Sequence, residues 1–287
     1  MLDFLPEKLK KALSFCNLQK VYEIRIRADK PITILYEENY VYLGDRGVTR
    51  IKNNAIRCTQ SEIIDSVYRA GNCSIYAVEE EIRRGFITSK DGERIGLAGD
   101  YVFNKGEAYT IRDFTSICIR VPHIVHNCGQ TLYDICMSDR VNNMFLLSPP
   151  GMGKTTLLRD LGRILSEKTN KNILLCDERG ELSIGENGET CDIIKFADKQ
   201  RVFEAGIRAM RPDVIITDEI SEMDCKAVKR AISAGIAVIA SGHFYAMQHI
   251  KDPFFPLFDR YVFLNRERIG EIDAVYNEKG IKIYDCR

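Results

Sequence analysis

The chain is organised around residues 146–158, which read L-L-S-P-P-G-M-G-K-T-T-L-L. The apolar run at 144–147 is typical of a buried strand, and the apolar spacing over 154–165 predicts a helix packed on a sheet. Gly151 and Gly153 lie in the turn between them, where glycine lets the backbone fold closely around an anion. Successive backbone N–H groups and the positive end of the helix would then point at a bound phosphate.

The tetrad G-K-T-T at the end of this turn indicates a specific chemistry. Lys154 would reach the β- and γ-phosphates of ATP, and the hydroxyl of Thr155 would hold Mg²⁺. The pattern is that of a P-loop, or Walker A motif, with Ser148 in place of the first glycine. The alternative is a Gly/Pro-rich connection in some other α/β protein, and the position of the tetrad between strand and helix argues against it. The expected nucleotide-binding residues are Pro150, Gly151, Met152, Gly153, Lys154, Thr155 and Thr156.

Length and composition are those of an ordinary globular protein. A chain of 287 residues would normally divide into about two domains. Lys plus Arg and Asp plus Glu both number 41, so no overall field recruits nucleic acid, and direct DNA binding is not expected. The 10 cysteines include no C-x-x-C pair, which favours buried thiols in a reducing cytosol over a disulfide frame or a zinc site. No stretch approaches the ~20 apolar residues of a membrane span, so we expect membrane contact only peripherally or through a partner.

The first part of the chain has the pattern of a mixed α+β domain. Residues 21–27, V-Y-E-I-R-I-R, alternate strictly enough to predict a strand with one charged face. Asp91-Gly92 is a strong hairpin signal. The pattern is interrupted after Pro122, and we place this domain at residues 1–127. Its other predicted elements are helices at 5–16, 61–70 and 76–84, strands at 32–36, 40–43 and 111–121, and a hairpin that pairs 86–88 with 94–97.

Beyond this boundary strands and helices alternate, which predicts a parallel sheet with crossover helices over residues 128–287. The predicted fold class is therefore α/β, a P-loop NTPase domain preceded by a smaller α+β domain. A closing hairpin that turns at 277–280 is typical of the antiparallel additions that complete such sheets. The predicted strands are 172–176, 214–217, 237–240, 261–265, 272–276 and 281–284, and the predicted helices are 200–210 and 221–234.

A second motif, V-I-I-T-D-E, occupies residues 214–219. Behind a P-loop, a buried strand that ends in two carboxylates is typical of a Walker B element, although alone it could be a strand with a solvated acidic turn. Asp218 would hold Mg²⁺, and Glu219 would polarise the attacking water. Ser241 and His243 follow the next predicted strand, where such enzymes sense the γ-phosphate. For His243, capping of the following helix is the alternative.

The run D-E-R-G-E at 177–181 closes the second predicted strand of this domain. It would face the same side as the P-loop, since ligands bind at the carboxyl ends of parallel strands. Asp177, Glu178 and Glu181 are therefore candidates for the site, and a solvated charged loop is an equal alternative.

An arginine from outside the P-loop commonly neutralises the charge on the transferred γ-phosphoryl group. We favour Arg112 and Arg120, because both lie on a predicted strand shortly before the ATPase domain. Taken singly, each candidate could instead be an ordinary surface or ion-pair arginine. The full set of candidates is Arg25, Arg27, Arg94, Arg112 and Arg120.

Three further segments read E-I-R-I-R at 23–27, E-E-E-I-R-R-G-F-I-T at 79–88 and G-E-R-I-G-L-A-G at 92–99. Together with 148–160, 214–220 and 241–243, they make the chain resemble the stage III sporulation protein AA family of endospore-forming bacteria. The resemblance implies a cytoplasmic ATPase on the mother-cell side of the forespore membrane, serving a channel between the two compartments. The family's membrane-embedded channel proteins would then be its partners.

The C-terminal half is also similar to the ATPases of type II and type IV secretion systems, whose Walker B strand likewise follows R-P-D, here residues 211–213. This likeness implies a RecA-like domain and a ring of copies, with a hexamer as the expected number. Two positions depart from these families. Ser148 replaces a glycine, and His243 stands at the histidine-box position with no second histidine close behind.

The leading hypothesis is a Mg²⁺-dependent motor ATPase of a secretion-like assembly. A nucleic-acid translocase is a second hypothesis, disfavoured by the neutral net charge and by the lack of a dense basic run with interleaved aromatics. A third is a ring scaffold that binds ATP with little turnover, which Glu219 disfavours.

Overall fold

The computed structural model describes residues 2–72, 78–104, 107–137 and 139–286. By its internal contacts the chain divides into two compact units, Met1–His123 and Ile124–Arg287. The division falls after His123, whereas the sequence interpretation placed it after residue 127. Within the described residues, no helix has both the length and the apolar composition needed to cross a bilayer.

The first unit is built on one antiparallel sheet. Its strands are β1 Val21–Arg27, β2 Thr33–Tyr36, β3 Asn39–Gly44, β4 Gly47–Thr49, β5 Phe86–Thr88, β6 Arg94–Asn104 and β7 Glu107–Arg120. Its helices are α1 Glu7–Leu13, α2 Gln60–Ala70 and α3 Glu79–Arg83, with 3₁₀ turns at Leu18–Lys20 and Lys52–Asn54. The strand order is β4-β3-β2-β1-β7-β6-β5.

Strand β1 shows how the two faces of this sheet differ. Ile24 and Ile26 are buried in the core that α1 and α2 help to form, as the alternation predicted. Glu23 is on the other face, opposite Arg120 of β7, and Arg120 in turn lies opposite Arg94 of β6. Antiparallel pairing therefore brings charged residues from three separate segments into one row.

Most of the elements predicted for this unit are present, with different bounds. α2 begins at a capping box formed by Thr59 and Glu62. The helix predicted over 76–84 covers only Glu79–Arg83, and residues 76 and 77 lie outside the described residues. β6 and β7 are longer than predicted, because polar and exposed residues continue their pairing beyond the apolar pattern.

The second unit contains a mainly parallel sheet. Its strands are β8 Met144–Leu147, β9 Ile173–Asp177, β10 Cys191–Lys195, β11 Val214–Thr217, β12 Ala237–Gly242, β13 Arg260–Leu264, β14 Ile272–Asn277 and β15 Lys282–Asp285. Its helices are α4 Gln130–Cys136, α5 Lys154–Lys168, α6 Lys199–Ala205 and α7 Cys225–Ser233. The strand order is β10-β9-β11-β12-β8-β13-β14-β15, and only β14 and β15 are antiparallel to their neighbours.

Both faces of this sheet are buried, which is why its central strands are apolar throughout. On one face, Leu157 and Leu161 of α5 pack against Leu146 of β8. On the other, the ring of Phe145 stacks on that of Phe258 at a centroid distance of 4.8 Å. The carboxyl ends of β8, β9, β11 and β12 consequently meet at a single edge of a rigid sheet.

Two elements of this unit were missed in the sequence, α4 and the edge strand β10. The predicted helix 200–210 is α6 followed by a π-helical turn, Gly206–Met210, which ends at Arg211 in the left-handed region. The predicted helix 221–234 begins as a 3₁₀ turn, Glu222–Asp224, before α7. The closing hairpin of β14 and β15 is confirmed.

Candidate nucleotide-binding site

The turn between β8 and α5 has the backbone that its glycines predict. Gly151 and Gly153 have φ angles of 78° and 87°, in the left-handed region that favours glycine. A Cβ placed on Gly151 would meet nothing within 4 Å, so the concave side of the turn is open there. The N–H of Gly270, in the β13–β14 connection, donates to the carbonyl of Met152 at 3.1 Å and braces the turn. Since α5 begins at Lys154, its first N–H groups open into this turn.

Lys154 is buried, and its ammonium group is held by its own loop. Nζ donates to the carbonyl oxygens of Ser148 at 3.1 Å and Pro149 at 3.2 Å, and lies 3.1 Å from Nδ1 of His243. Burial lowers the pKa of Lys154, and the charge of Glu219 offsets part of that shift. A buried cation whose partners are all neutral is well suited to a phosphate that enters the loop.

His243 connects this lysine to the Walker B glutamate. Its Nε2 lies 2.9 Å from Oε1 of Glu219, while Nδ1 faces the Lys154 ammonium. Nδ1 also lies 3.2 Å from the carbonyl oxygen of Ser148, so the imidazole contacts the P-loop backbone, the lysine and the carboxylate at once. The next helical turn, Met247–His249, has Ala246 as its N-cap, so His243 does not cap it, and its role as a sensor of the γ-phosphate stays a prediction.

Glu219 has a second neighbour, the cationic Arg179, which the sequence interpretation did not assign to the site. Its Oε2 lies 3.1 Å from the guanidinium of Arg179. Burial raises the pKa of Glu219, but Arg179 and His243 together outweigh it and hold the pKa below its usual range. Glu219 is consequently an ionised acceptor at the open side of the site.

Asp218 is the least satisfied polar group at this edge of the sheet. It is 2% exposed, and its Oδ1 makes no hydrogen bond. Burial raises its pKa to about 6, although Lys199 and Arg179 oppose the shift. The hydroxyl of Ser241, at the end of the neighbouring strand β12, is also buried without a hydrogen-bond partner. Two adjacent strand ends thus present oxygen atoms that make no hydrogen bond, although Lys199 lies 3.6 Å from Oδ1 of Asp218.

These oxygens fit the Mg²⁺ that the P-loop pattern implies. Mg²⁺ usually binds one or two protein ligands and completes its shell with water and substrate phosphate oxygens. Thr155, in the first turn of α5, and Asp218 are the two residues that would hold it. Across the described ranges, no group of three or more His, Cys, Asp or Glu side chains could hold a metal alone.

The charged run at residues 177–181 contains both buried structural residues and exposed ones near the candidate site. Asp177 is buried and structural, because it accepts the N–H groups of Glu181 and Ser183, both at 2.8 Å, and the Ser183 hydroxyl at 2.5 Å. Arg159 of α5 anchors the same loop by donating to the carbonyl of Glu181 at 2.6 Å. The loop is therefore a fixed platform from which Glu178 and Arg179 project.

Lys199, in the first turn of α6, is the second residue missed in the sequence. Its Nζ is 2.5 Å from Oε2 of Glu178 and 3.6 Å from Oδ1 of Asp218. No local pattern marks it, since it stands at the edge of a predicted helix among other polar residues. Arg179 could have been identified from the sequence, because it lies within the charged run 177–181. Only the carboxylates of that run were considered as site residues.

The two arginines proposed from the sequence belong to the first unit. Arg112 is exposed on β7, with Nε 3.5 Å from the carboxylate of Asp113. Arg120, at the end of the same strand, is exposed and lies opposite Glu23 and Arg94 in the sheet. Their action on the phosphates stays a prediction.

A protein-family model matches nearly the full length of the chain. A family model described as "Sporulation stage III, protein AA" matches residues 2–283. The stage III sporulation protein AA of Bacillus subtilis (strain 168) is 32% identical over 302 aligned residues, which cover 97% of this chain and 94% of that protein. The resemblance identified from the sequence motifs is confirmed.

Solved structures show the same fold at low sequence identity. The ATPase DotB of Legionella pneumophila has a TM-score of 0.57 at 12% identity, over 97% of this chain and 80% of that one. The pilus retraction motor PilT, solved with bound ADP, has a TM-score of 0.60 at 12% identity, over 90% of this chain and 76% of that one. The predicted fold class, a P-loop NTPase of the secretion-ATPase type, is confirmed.

Asp218→Asn should raise the free energy of unfolding at pH 8 in the absence of nucleotide. A carboxyl whose pKa rises from 3.8 to about 6 on folding stabilises the folded state at low pH and loses that contribution as pH rises through 6. The substitution would relieve ~1–3 kcal/mol of this cost at pH 8, and the gain should shrink between pH 8 and pH 4. Denaturant unfolding at several pH values measures it, with exposed Asp192→Asn as the control. An Asp218→Asn protein that is destabilised equally at both pH values would contradict the assignment.

Proposed function

The chain belongs to the stage III sporulation protein AA family, and we propose that it is a Mg²⁺-dependent ATP hydrolase. The contact of Lys154 with His243, and of His243 with Glu219, carries the proposal. It links a phosphate-binding lysine to a carboxylate that can orient water, within a confirmed P-loop fold. A scaffold that only binds ATP would need no such carboxylate.

In this reaction the oxygen of a water forms a bond to the γ-phosphorus, and the bond from that phosphorus to the β–γ bridging oxygen breaks, leaving its electron pair on ADP. Glu219 orients the water and accepts its proton. Lys154 remains bound to the phosphates. His243 contacts the γ-phosphate and hydrogen-bonds to Glu219, so it couples the position of Glu219 to the presence of that phosphate. Mg²⁺, held by Thr155 and Asp218, would neutralise charge on the β- and γ-phosphates.

We extend the proposal to the assembly in which the activity is used. Family membership supports a role in sporulation, and the fold shared with secretion ATPases supports a ring of copies, with a hexamer expected. Such a ring would lie in the mother-cell cytoplasm beside the forespore membrane. Its turnover would energise or assemble a channel through membrane-embedded partner proteins.

Lys154→Ala should abolish ATP and ADP binding and leave the fold intact. The buried ammonium contributes its charge to phosphate binding, whereas the turn is also held by the hydrogen bond from Gly270 to Met152. Calorimetric titration with nucleotide, together with a thermal melt, measures both outcomes. Lys168→Ala removes an exposed cation from the end of the same helix and should behave as wild type. An unchanged nucleotide affinity in folded Lys154→Ala would reject the P-loop assignment.

Glu219→Gln should bind Mg·ATP and turn it over at least ~100-fold more slowly, the usual lower scale for loss of a general base. Steady-state phosphate release measures turnover, and exposed Glu222→Gln, three residues further along the chain, is the matched control. Near-normal turnover by Glu219→Gln would transfer the role to Glu178 or Glu181.

Arg112→Ala or Arg120→Ala should lower turnover by up to ~10³-fold if the first unit of this or a neighbouring chain completes the ATP site. Specific activity of wild type should then also rise with protein concentration as the ring assembles. Measuring activity against concentration for all three proteins tests both points. Equal activity at every concentration would show that neither arginine acts and that no site is shared between chains.

A further inference from the structure

Among the described residues, the lysines and arginines that act on Asp218 and Glu219 are Lys154, Lys199 and Arg179, and Arg159 lies nearby at the Asp177 loop. Lys154 belongs to the P-loop, and Lys199 is buried between Glu178 and Asp218. Arg159 is buried and donates to a backbone carbonyl. Arg179 differs from these, because its side chain is 54% exposed and it forms an ion pair with Glu219 at 3.1 Å.

The fold does not need the side chain of Arg179. The loop that carries it is already fixed by the hydrogen bonds of Asp177 and by Arg159, which all involve neighbouring backbone groups or Ser183. Glu219 is itself 33% exposed, and an ion pair between two such exposed groups contributes little to stability. Stability of the fold therefore does not account for the placement of the Arg179 guanidinium beside Glu219.

We infer that Arg179 is a catalytic residue, an arginine supplied from within the same chain to the γ-phosphoryl group as it is transferred. The inference rests on the proposed function. Glu219 contacts both Arg179 and His243, and His243 contacts Lys154, so one carboxylate separates Arg179 from the residues that flank the γ-phosphate. A planar guanidinium donates two parallel hydrogen bonds to phosphate oxygens, which an ammonium cannot do.

The exchange of partners that this requires is small. Arg179 leaves one oxygen of Glu219 and turns towards the phosphoryl oxygens, where negative charge collects as the bond to ADP breaks. Glu219 keeps its hydrogen bond from His243 and gains a free oxygen for the attacking water. The same ion pair thus keeps both groups beside the reaction centre before ATP is bound.

Arg179→Ala in the full chain should lower kcat by ~10³-fold, the lower end of arginine-finger effects, with little change in ADP affinity. It should also lose the tight complex of ADP with aluminium fluoride, which imitates the planar phosphoryl group and which a merely structural role would not affect. Arg201→Ala is the matched control, because Arg201 is an 83% exposed ion-pair arginine on α6. A kcat for Arg179→Ala within ~3-fold of wild type would overturn the inference.

If Arg179→Ala does not fold, Arg179→Lys tests the inference instead. It keeps a positive charge beside Glu219 but cannot form paired hydrogen bonds, so a folded lysine variant with normal ADP affinity should still be slow. Normal turnover and a normal aluminium fluoride complex in this variant would overturn the inference. If wild type itself hydrolyses no ATP, the proposed function fails instead, which makes the two failures distinguishable.

Mixing variants tests whether Arg179 serves its own chain. Arg179→Ala is combined with an excess of Glu219→Gln, which keeps Arg179 but has lost its own base. No recovery of turnover is expected if the arginine acts within its chain. Recovery would show that Arg179 of the Glu219→Gln chains completes sites on their neighbours, and the same-chain assignment would be wrong.

Discussion

Charged side chains are buried at the carboxyl ends of parallel strands in the second unit, and the arrangement of the site follows from the cost of keeping them there. An ion taken out of water costs several kcal/mol unless partners replace the lost hydration. Asp177 accepts three hydrogen bonds from its own loop, and Lys199 forms an ion pair with Glu178. Lys154 hydrogen-bonds to neutral backbone carbonyl groups and contacts the imidazole of His243. The satisfied charges fix the loop after β9, and the less satisfied ones, Lys154 and Asp218, are the residues to which the proposed function gives phosphate and Mg²⁺ binding.

Asp218 is the clearest case of a group whose surroundings oppose its charge. Burial raises its pKa to about 6, and Oδ1 has no hydrogen bond. A folded protein keeps such a group when the position serves binding or catalysis, at some cost in stability. A divalent cation with its phosphates would supply what Asp218 lacks. The same logic applies to Lys154, whose neutral partners cannot balance its charge.

The two units collect charge in different ways. In the first unit, antiparallel pairing of β1, β7 and β6 places Glu23, Arg120 and Arg94 side by side, on the face opposite the isoleucine core. In the second, parallel strands joined by helical crossovers bring together residues that follow different strands, such as Arg179 after β9 and Glu219 after β11. Each unit therefore gathers charged groups that are far apart in the chain.

The sequence by itself determined the glycine turn between β8 and α5, the strand that ends before Asp218 and Glu219, and the closing hairpin, and it was sufficient to identify the family. These features depend on neighbours within a few residues: Gly151 and Gly153 shape a turn, and Asp218 and Glu219 end a short apolar strand. Only the tertiary structure decided the contacts of Arg179, Lys199 and His243. Their partners are set by the strand order β9-β11-β12-β8, in which the Walker B strand lies between β9 and β12 and is separated from the P-loop strand by β12. Strand order is fixed by how the crossover helices pack on the two faces of the sheet, and the local spacing of residues carries no record of it.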